Sequence, residues 1–369
     1  MAEDIRRDPF EEYLRDEEPG RRELGYAWYT AIGLQAVDGL KTSDYLKETA
    51  VRNIVGEISL DDAEKLLNSY YEERRGEDDP DRTEEADQVS LRISRLLSES
   101  SFSFTPNEYI SIHRKLFSGI YSHAGKVRDY NITKKEWVLD GASVTYGSAS
   151  ELMETLKYDL TEEKKFSYKK LSQEDMVKHL AGFVSRLWQI HVFAEGNTRT
   201  TAVFFIKYLR TLGFDVTNDI FAENAWYFRN AMVRANYNDL KNGIHETTEY
   251  IELFLRNLLM GENNELHNRS MHIRFREETG KADIEGQKAD IEELLESKIP
   301  GLTGKTKKHV TDMFLAFGDE KIFGRSDVEK LSGLKTTRTS ELLKMLCEQG
   351  IIAPVKGYGK GKYRFTHRQ

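Results

Sequence analysis

Residues 191–199 read His-Val-Phe-Ala-Glu-Gly-Asn-Thr-Arg: one base, one acid, a Gly-Asn pair and one guanidinium in a single short run. Apolar segments flank it. Met176, Leu180, Val184, Leu187 and Ile190 recur at helical spacing before the run, and Ala202, Phe205, Ile206 and Leu209 do so after it. The polar cluster therefore falls in a turn between two helices. A Gly-Asn pair opening a helix presents unbonded backbone N–H groups and the positive end of the helix dipole, an arrangement that cradles a phosphate. Arg199, one turn into the second helix, adds a forked donor to the same anion.

The run resembles the signature of the Fic-domain family, His-x-Phe-x-(Asp/Glu)-Gly-Asn-(Gly)-Arg-x-x-Arg, whose members move the nucleotide monophosphate of a Mg-bound triphosphate onto a protein hydroxyl. The resemblance implies that His191 is the general base for the attacking hydroxyl. It makes Phe193 a buried anchor, Glu195 the Mg2+ ligand, and Gly196, Asn197 and Thr198 the anion hole, with Arg199 on the phosphates beyond the point of attack. Two positions depart from the pattern. Val192 stands where Pro is usual, and Ala202 stands where the family has a second Arg that holds the γ-phosphate. The second departure leaves the seating of the triphosphate, and the choice of ATP, open.

Upstream, Lys135 to Tyr146 is β-prone and broken by Asp140-Gly141, a two-residue hairpin turn. The family carries a hairpin flap here that receives the target segment as an added strand. That assigns target binding to Lys135, Val138, Leu139 and Val144, and Gly125 to Arg128 resembles the run before the flap. Downstream, Trp226 to Asn236 forms an amphipathic helix whose Tyr227-Phe228 pair sits where the family has aromatics beside the adenine; packing in the core is the alternative. Many members also carry a regulatory helix, Ser/Thr-x-x-x-Glu-Gly/Asn, whose Glu pairs with the second Arg. The nearest segment is Leu34-Gln-Ala-Val-Asp38-Gly39, so Asp38 is the candidate regulatory residue, in a helix that packs at the site with its ion-pair lock absent or rebuilt. His113 and His179 read as structural.

The chain has 369 residues, enough for two or three domains. It contains a single cysteine, which excludes disulfides within the chain and thiolate zinc clusters and fits a reducing cytoplasm. No apolar run is long enough to span a membrane, and the charged first twenty residues lack the apolar core of an export signal. The net charge of −8 hides an asymmetry: residues 322–369 hold ten Lys and Arg against four Asp and Glu, an excess of six, leaving −14 elsewhere. A basic tail on an acidic body suggests a module with an anionic partner.

The expected organisation is mainly α: a helical region over 1–105, a helical catalytic core with a short β-hairpin flap over 106–262, a charged connector over 263–300, and a small α+β module over 301–369. In the first region, Leu46, Ala50 and Ile54, then Ala63, Leu66 and Leu67, lie on apolar faces, and between them Gly56 to Asp62 has the turn and N-cap chemistry of a helix start. The charged stretch Glu72 to Asp87 reads as an exposed loop and is assigned no function. In the last region, helices at His309 to Phe317, Arg325 to Ser332 (with Ser326 as N-cap) and Thr336 to Gln349 precede a Gly-rich hairpin, an order that resembles a winged-helix domain. There Lys335, Arg338, Lys344, Lys356, Lys360, Lys362 and Arg364 would contact DNA phosphates, or the module would dock a protein. Gly301 to Thr306 lacks the spacing of a phosphate loop and reads as connector. The expected activity is Mg-dependent adenylyl transfer from ATP to a Ser, Thr or Tyr of a target protein or of the chain itself, with a homodimer compatible. The alternatives are transfer of another nucleotide or phosphate moiety, and a nucleotide-sensing DNA-binding regulator.

Overall fold

A computed structural model of the chain describes residues 19–75, 79, 81–216, 220–274, 291, 295, 299, 302–318, 322–355 and 361–366. They fall in two compact units, one within Asp8–Phe275 and one within Arg276–Gln369. Most of the 263–300 connector lies outside the described residues, as do Lys356 and Lys360.

The larger unit is helical. It runs through α1 (Pro19–Gly33), a 3-10 turn (Leu34–Asp38), α2 (Asp44–Ile54), α3 (Leu60–Glu72), α4 (Thr83–Ser98) and α5 (Pro106–Phe117), then a 3-10 turn at Trp137–Leu139. It continues with α6 (Leu152–Lys165), α7 (Gln173–Ile190), α8 (Asn197–Thr211), α9 (Ile220–Glu223), α10 (Ala225–Ala235) and α11 (Glu249–Met260). Helix α8 is the hub: every residue from Asn197 to Leu209 is buried. α4, α5, α7 and the 34–38 turn pack around it.

The helix starts follow local chemistry. Ser59 caps α3 in a reciprocal box with Asp62, and Thr105 caps α5 by accepting from Glu108 N at 3.2 Å. The expected boundary near residue 105 separates no compact unit. Ala27, Ala31, Leu34 and Val37 share one apolar core with Val89 and Ile93 of α4 and with the helices that follow. Leu46, Ala50, Ile54, Ala63 and Leu67 form a satellite cluster with Trp28 and Leu91. The charged stretch 72–87 is likewise no mere loop, because from Thr83 it is the first turn of α4 and buries Glu85 and Asp87.

The 135–146 segment reverses at Asp140 (φ 55°) and Gly141 (φ 81°) as its sequence requires, but its arms form no strands. Val138 and Leu139 are consecutive and both turn into the helical core. A strand would send one of them outward, so the backbone coils into a 3-10 turn instead. The Val138 carbonyl is already taken by Ile273 N at 2.9 Å.

The smaller unit orders α12 (Gly304–Phe317), β1 (Phe323–Gly324), α13 (Arg325–Ser332), α14 (Thr336–Glu348), β2 (Ile352–Pro354) and β3 (Lys362–Phe365). Its antiparallel sheet runs β1-β3-β2, with Phe323 opposite Tyr363 and Ile352 opposite Phe365. Helix α12 starts five residues before the expected His309, because Thr303 caps it; residues 304–306 are helix, not connector. The cap of α13 is Gly324 rather than Ser326: the Asp327 carboxylate accepts from Gly324 N at 2.7 Å.

Candidate active site

The turn between α7 and α8 carries the signature residues and is held from three sides. Gly196 opens α8 at φ 76°, and a Cβ there would lie 2.4 Å from the Phe117 ring, so only glycine fits. The Asn197 side chain bonds back to the loop, accepting from Phe193 N (2.9 Å) and donating to Phe193 O (2.7 Å). Thr198 accepts from Trp188 Nε1 at 3.0 Å. Both side chains expected at a nucleotide thus brace the loop, and what they leave toward a ligand is the uncapped first turn of α8. His113 stacks on Phe193 and bonds the Glu195 carbonyl (2.9 Å) and Gly125 N (2.8 Å). Accepting from an amide requires a neutral ring, and burial pushes its pKa down to about 4. His179, stacked on Phe166 and bonded to Glu163, is structural too.

His191 terminates α7 in the left-handed region (φ 51°) and is 3% exposed. Arg128 fixes its backbone, donating from Nε to the His191 carbonyl at 2.7 Å. Neither ring nitrogen has a hydrogen-bond partner among the described residues. Burial, reinforced by the Lys134 ammonium, holds the imidazole well below its usual pKa of 6.5, so it is a neutral base at physiological pH. Glu195 is half exposed, and its carboxylate meets Lys134 Nζ at 3.1 Å. The described residues contain no cluster of three or more metal-ligating side chains. Glu195 is the carboxylate that could hold a Mg2+, an ion bound by one or two carboxylates together with phosphate oxygens and water, in exchange for its Lys134 contact.

At the other end, Arg199 is fully buried among counter-charges. Its guanidinium pairs with Asp38 (2.9 Å) and Glu85 (2.8 Å), donates to Gln35 Oε1 (3.0 Å) and the Tyr121 hydroxyl (3.1 Å), and lies over the Phe117 ring. Burial works against both charges. The Asp38 and Glu85 contacts keep Arg199 protonated, and hydrogen bonds from Tyr121 and Arg199 hold the Glu85 carboxyl below its usual range. Arg82 adds a second guanidinium on Glu85 at 2.6 Å. Ala202 is 0% exposed, so its methyl group packs in the core where the signature has the second Arg.

The structure brings His191, Glu195, the start of α8, Arg199 and Asp38 together. Tyr227 and Phe228 do not join them as an open platform. They are 2% and 0% exposed, and Phe228 packs between Phe221 and Phe254. Of the four expected flap residues only Lys135 is exposed; Val138, Leu139 and Val144 are buried core. Sequence reading missed Glu85, Gln35, Tyr121, Lys134 and Tyr146. Glu85 lies in the charged run set aside above, and none of the five carries a local pattern that marks it.

No helix among the described residues is long and apolar enough to cross a membrane. No curated protein matches the chain. Among solved structures, the chain is similar to the N-terminal Fic domain of a Bartonella effector protein from Bartonella sp. AR 15-3. Identity there is 19% over 53% of this chain and 82% of that one, with a TM-score of 0.36. It is also similar to a Fic family protein from Desulfovibrio desulfuricans G20, 13% identical over 95% of this chain and 88% of that one, with a TM-score of 0.42. At these TM-scores neither likeness carries an argument about site or activity. The family comparison is direct: residues 103–209, which hold α5, the 135–146 turn, the base, the acid and the arginine described above, match the Fic/DOC family and constitute a Fic/DOC domain.

Proposed function

We propose that the larger unit is a nucleotidyltransferase that moves AMP from Mg-ATP to a Ser, Thr or Tyr hydroxyl of a protein. The Fic/DOC domain supports a transferase of this family's kind. The observation that carries the finer reading is the neutral His191 imidazole, with both nitrogens unengaged, on the loop that ends at the uncapped start of α8 and Arg199. In the proposed step the target hydroxyl gives its proton to His191 and its oxygen attacks the α-phosphorus, with pyrophosphate leaving. Mg2+ on Glu195 and the triphosphate would offset the phosphate charge, and the α8 amides and Arg199 would receive the phosphate oxygens. Asp38 and Glu85 are ion-paired with Arg199, so in this reading they hold the site closed to phosphate until released. The 135–146 turn, with Lys135 and the exposed Trp137, would receive the target segment.

The test is incubation with Mg2+ and each labelled nucleoside triphosphate in turn, read by intact mass on the protein itself and on candidate targets. His191→Ala should abolish transfer and leave nucleotide binding within a few-fold. Label that persists in that variant excludes His191 as the base. Transfer of a moiety other than AMP favours the alternative that position 202 raises.

For the smaller unit we propose a winged-helix-like docking role toward an anionic surface such as DNA. The order of α12 to β3 supports it, and Lys335, Arg338, Lys344 and Arg364 are exposed. Against a strong field, Arg338, Lys344 and Lys362 pair with Glu341, Glu348 and Asp327. Binding that does not fall with added salt would rule out DNA phosphates as the partner.

A further inference from the structure

A catalytic histidine is usually oriented by a hydrogen bond on its second ring nitrogen. His191 has none among the described residues, yet its ring is deeply buried and has to be held by something else. Two aromatic rings do it. Tyr146 lies 4.2 Å from the imidazole, centroid to centroid, at 44°, and Trp188 lies 5.3 Å away at 90°. Trp188 is on the same helix and is tied to Thr198. Tyr146 comes from the far end of the 135–146 turn, and the surrounding structure fixes it at three levels.

Its backbone is stitched to the end of α7. Gly147 N donates to Gln189 O (3.2 Å), Gln189 Nε2 donates to Thr145 O (3.0 Å), and Arg128 donates to the carbonyls of both Gly147 and His191. The approach is so close that a Cβ on residue 147 would meet the Ile190 carbonyl at 2.8 Å. Its hydroxyl donates to Glu136 Oε1 at 3.0 Å. Glu136, 1% exposed, is in turn ion-paired at 2.7 Å with Arg229 of α10.

We infer that Tyr146 is the positioning residue for His191, held on the imidazole by the Glu136–Arg229 pair, so that the 135–146 turn, α10 and the base move as one assembly. The chemical consequence rests on the proposed base role of His191; the geometric one does not. A ring face restrains rotation of the imidazole and leaves both nitrogens free, whereas a hydrogen bond would have occupied one of them.

The test uses the full chain with isotope-labelled histidine, and the His191 ring resonance is assigned by its loss in His191→Gln. Tyr146→Leu is expected to move that resonance by removing the ring current, and Tyr146→Phe, which keeps the ring and loses the bond to Glu136, to move it by less. Where transfer is measured, Tyr146→Leu should lower kcat by about 10- to 100-fold with the nucleotide KM near wild type, and Tyr146→Phe, with the ring but not the Glu136 bond, should fall between the two. If Tyr146→Leu fails to fold, Tyr146→Met, a flexible filler of the same space, takes its place. A His191 resonance unchanged by Tyr146→Leu, or by Tyr146→Met in its place, overturns the inference, and so does a resonance that moves with kcat unaltered. If the wild type transfers no nucleotide, the proposed function falls, and the resonance alone decides whether Tyr146 holds the ring.

Discussion

The two ends of one short loop are built on opposite principles. At the His191 end neither ring nitrogen has a hydrogen-bond partner among the described residues, and two aromatic rings pack on the group. At the Arg199 end a buried guanidinium meets two carboxylates, an amide oxygen and a phenol. The difference follows from charge. A neutral imidazole can be buried without a partner for about 1–3 kcal/mol, whereas a buried guanidinium without counter-charge would cost far more. The His191 end can thus stay buried and leave its ring nitrogens unpaired. In the proposed function, the Arg199 end would receive a phosphate by exchanging one set of anionic partners for another.

The largest expected effect breaks the anion end. Arg199→Met takes one of its two guanidinium partners from Glu85, 9% exposed, and removes the counter-charge of Asp38 and the bonds to Gln35 and Tyr121 at the same time, and should cost about 3–5 kcal/mol in stability by chemical denaturation. Adding Glu85→Gln in that background should recover part of the loss, since the buried charge goes with it. A loss under about 1 kcal/mol would show that water reaches the cluster and that the contrast between the two ends is false.

The next sharpens the contrast through pH. His113, between the two ends, has a folded pKa near 4 against about 6.5 in the unfolded chain. Between those values the unfolded state binds the extra proton, so stability is full above about pH 6.5 and falls as pH drops toward 4. The depressed pKa of His191 acts in the same direction. His113 alone should remove about 3 kcal/mol by pH 4. The difference in pH slope between the wild type and His113→Asn isolates this part from the carboxylates. Equal slopes would mean that His113 takes up its proton in place.

Periodicity and local capping were legible in the sequence because they report nearest neighbours. The helices around the loop, the Ser59 box, the Asp140-Gly141 reversal and the helix 325–332 are of this kind. What was illegible is partnership at a distance. Gln35 and Glu85 lie 164 and 114 positions from Arg199. Glu85 sat in a charged run indistinguishable from a solvated loop, and Asp38 was reachable only through a family resemblance. The 135–146 arms misled because β-branched and aromatic residues suit both strands and cores; burial of Val138 and Leu139 side by side decided for the core. The burial of Tyr227 and Phe228 was illegible for the same reason, since an aromatic pair on a helix does not announce which of its faces is covered.

A third expectation concerns the hinge between the ends. Gly196→Ala adds a methyl at φ 76° against the buried Phe117 ring and should cost about 1–3 kcal/mol. The loss should appear in thermal unfolding and in weaker binding of pyrophosphate, because the first turn of α8 must shift. Unaltered stability would mean that the Phe117 ring yields, and that Gly196 is required by neither the loop nor the ring.

The smallest effect on stability carries the most information about function. Asp38 ends the 34–38 turn, is 27% exposed on its side chain, and contacts Arg199 Nε at 2.9 Å. Asp38→Asn removes one negative charge from the anion end, keeps an acceptor of the same shape, and leaves Glu85 to neutralise the guanidinium. A partly exposed pair of this kind is worth about 1 kcal/mol or less, so the melting temperature should barely move. Affinity for ATP or pyrophosphate should rise instead. An entering phosphate must displace Asp38, and a charge-assisted phosphate contact is worth about 1.5–3 kcal/mol; even a third of that gives a several-fold gain in calorimetry. Affinity unchanged from the wild type would mean that phosphate does not bind at Arg199. The buried guanidinium would then be a structural ion pair, and the loop would have one functional end rather than two.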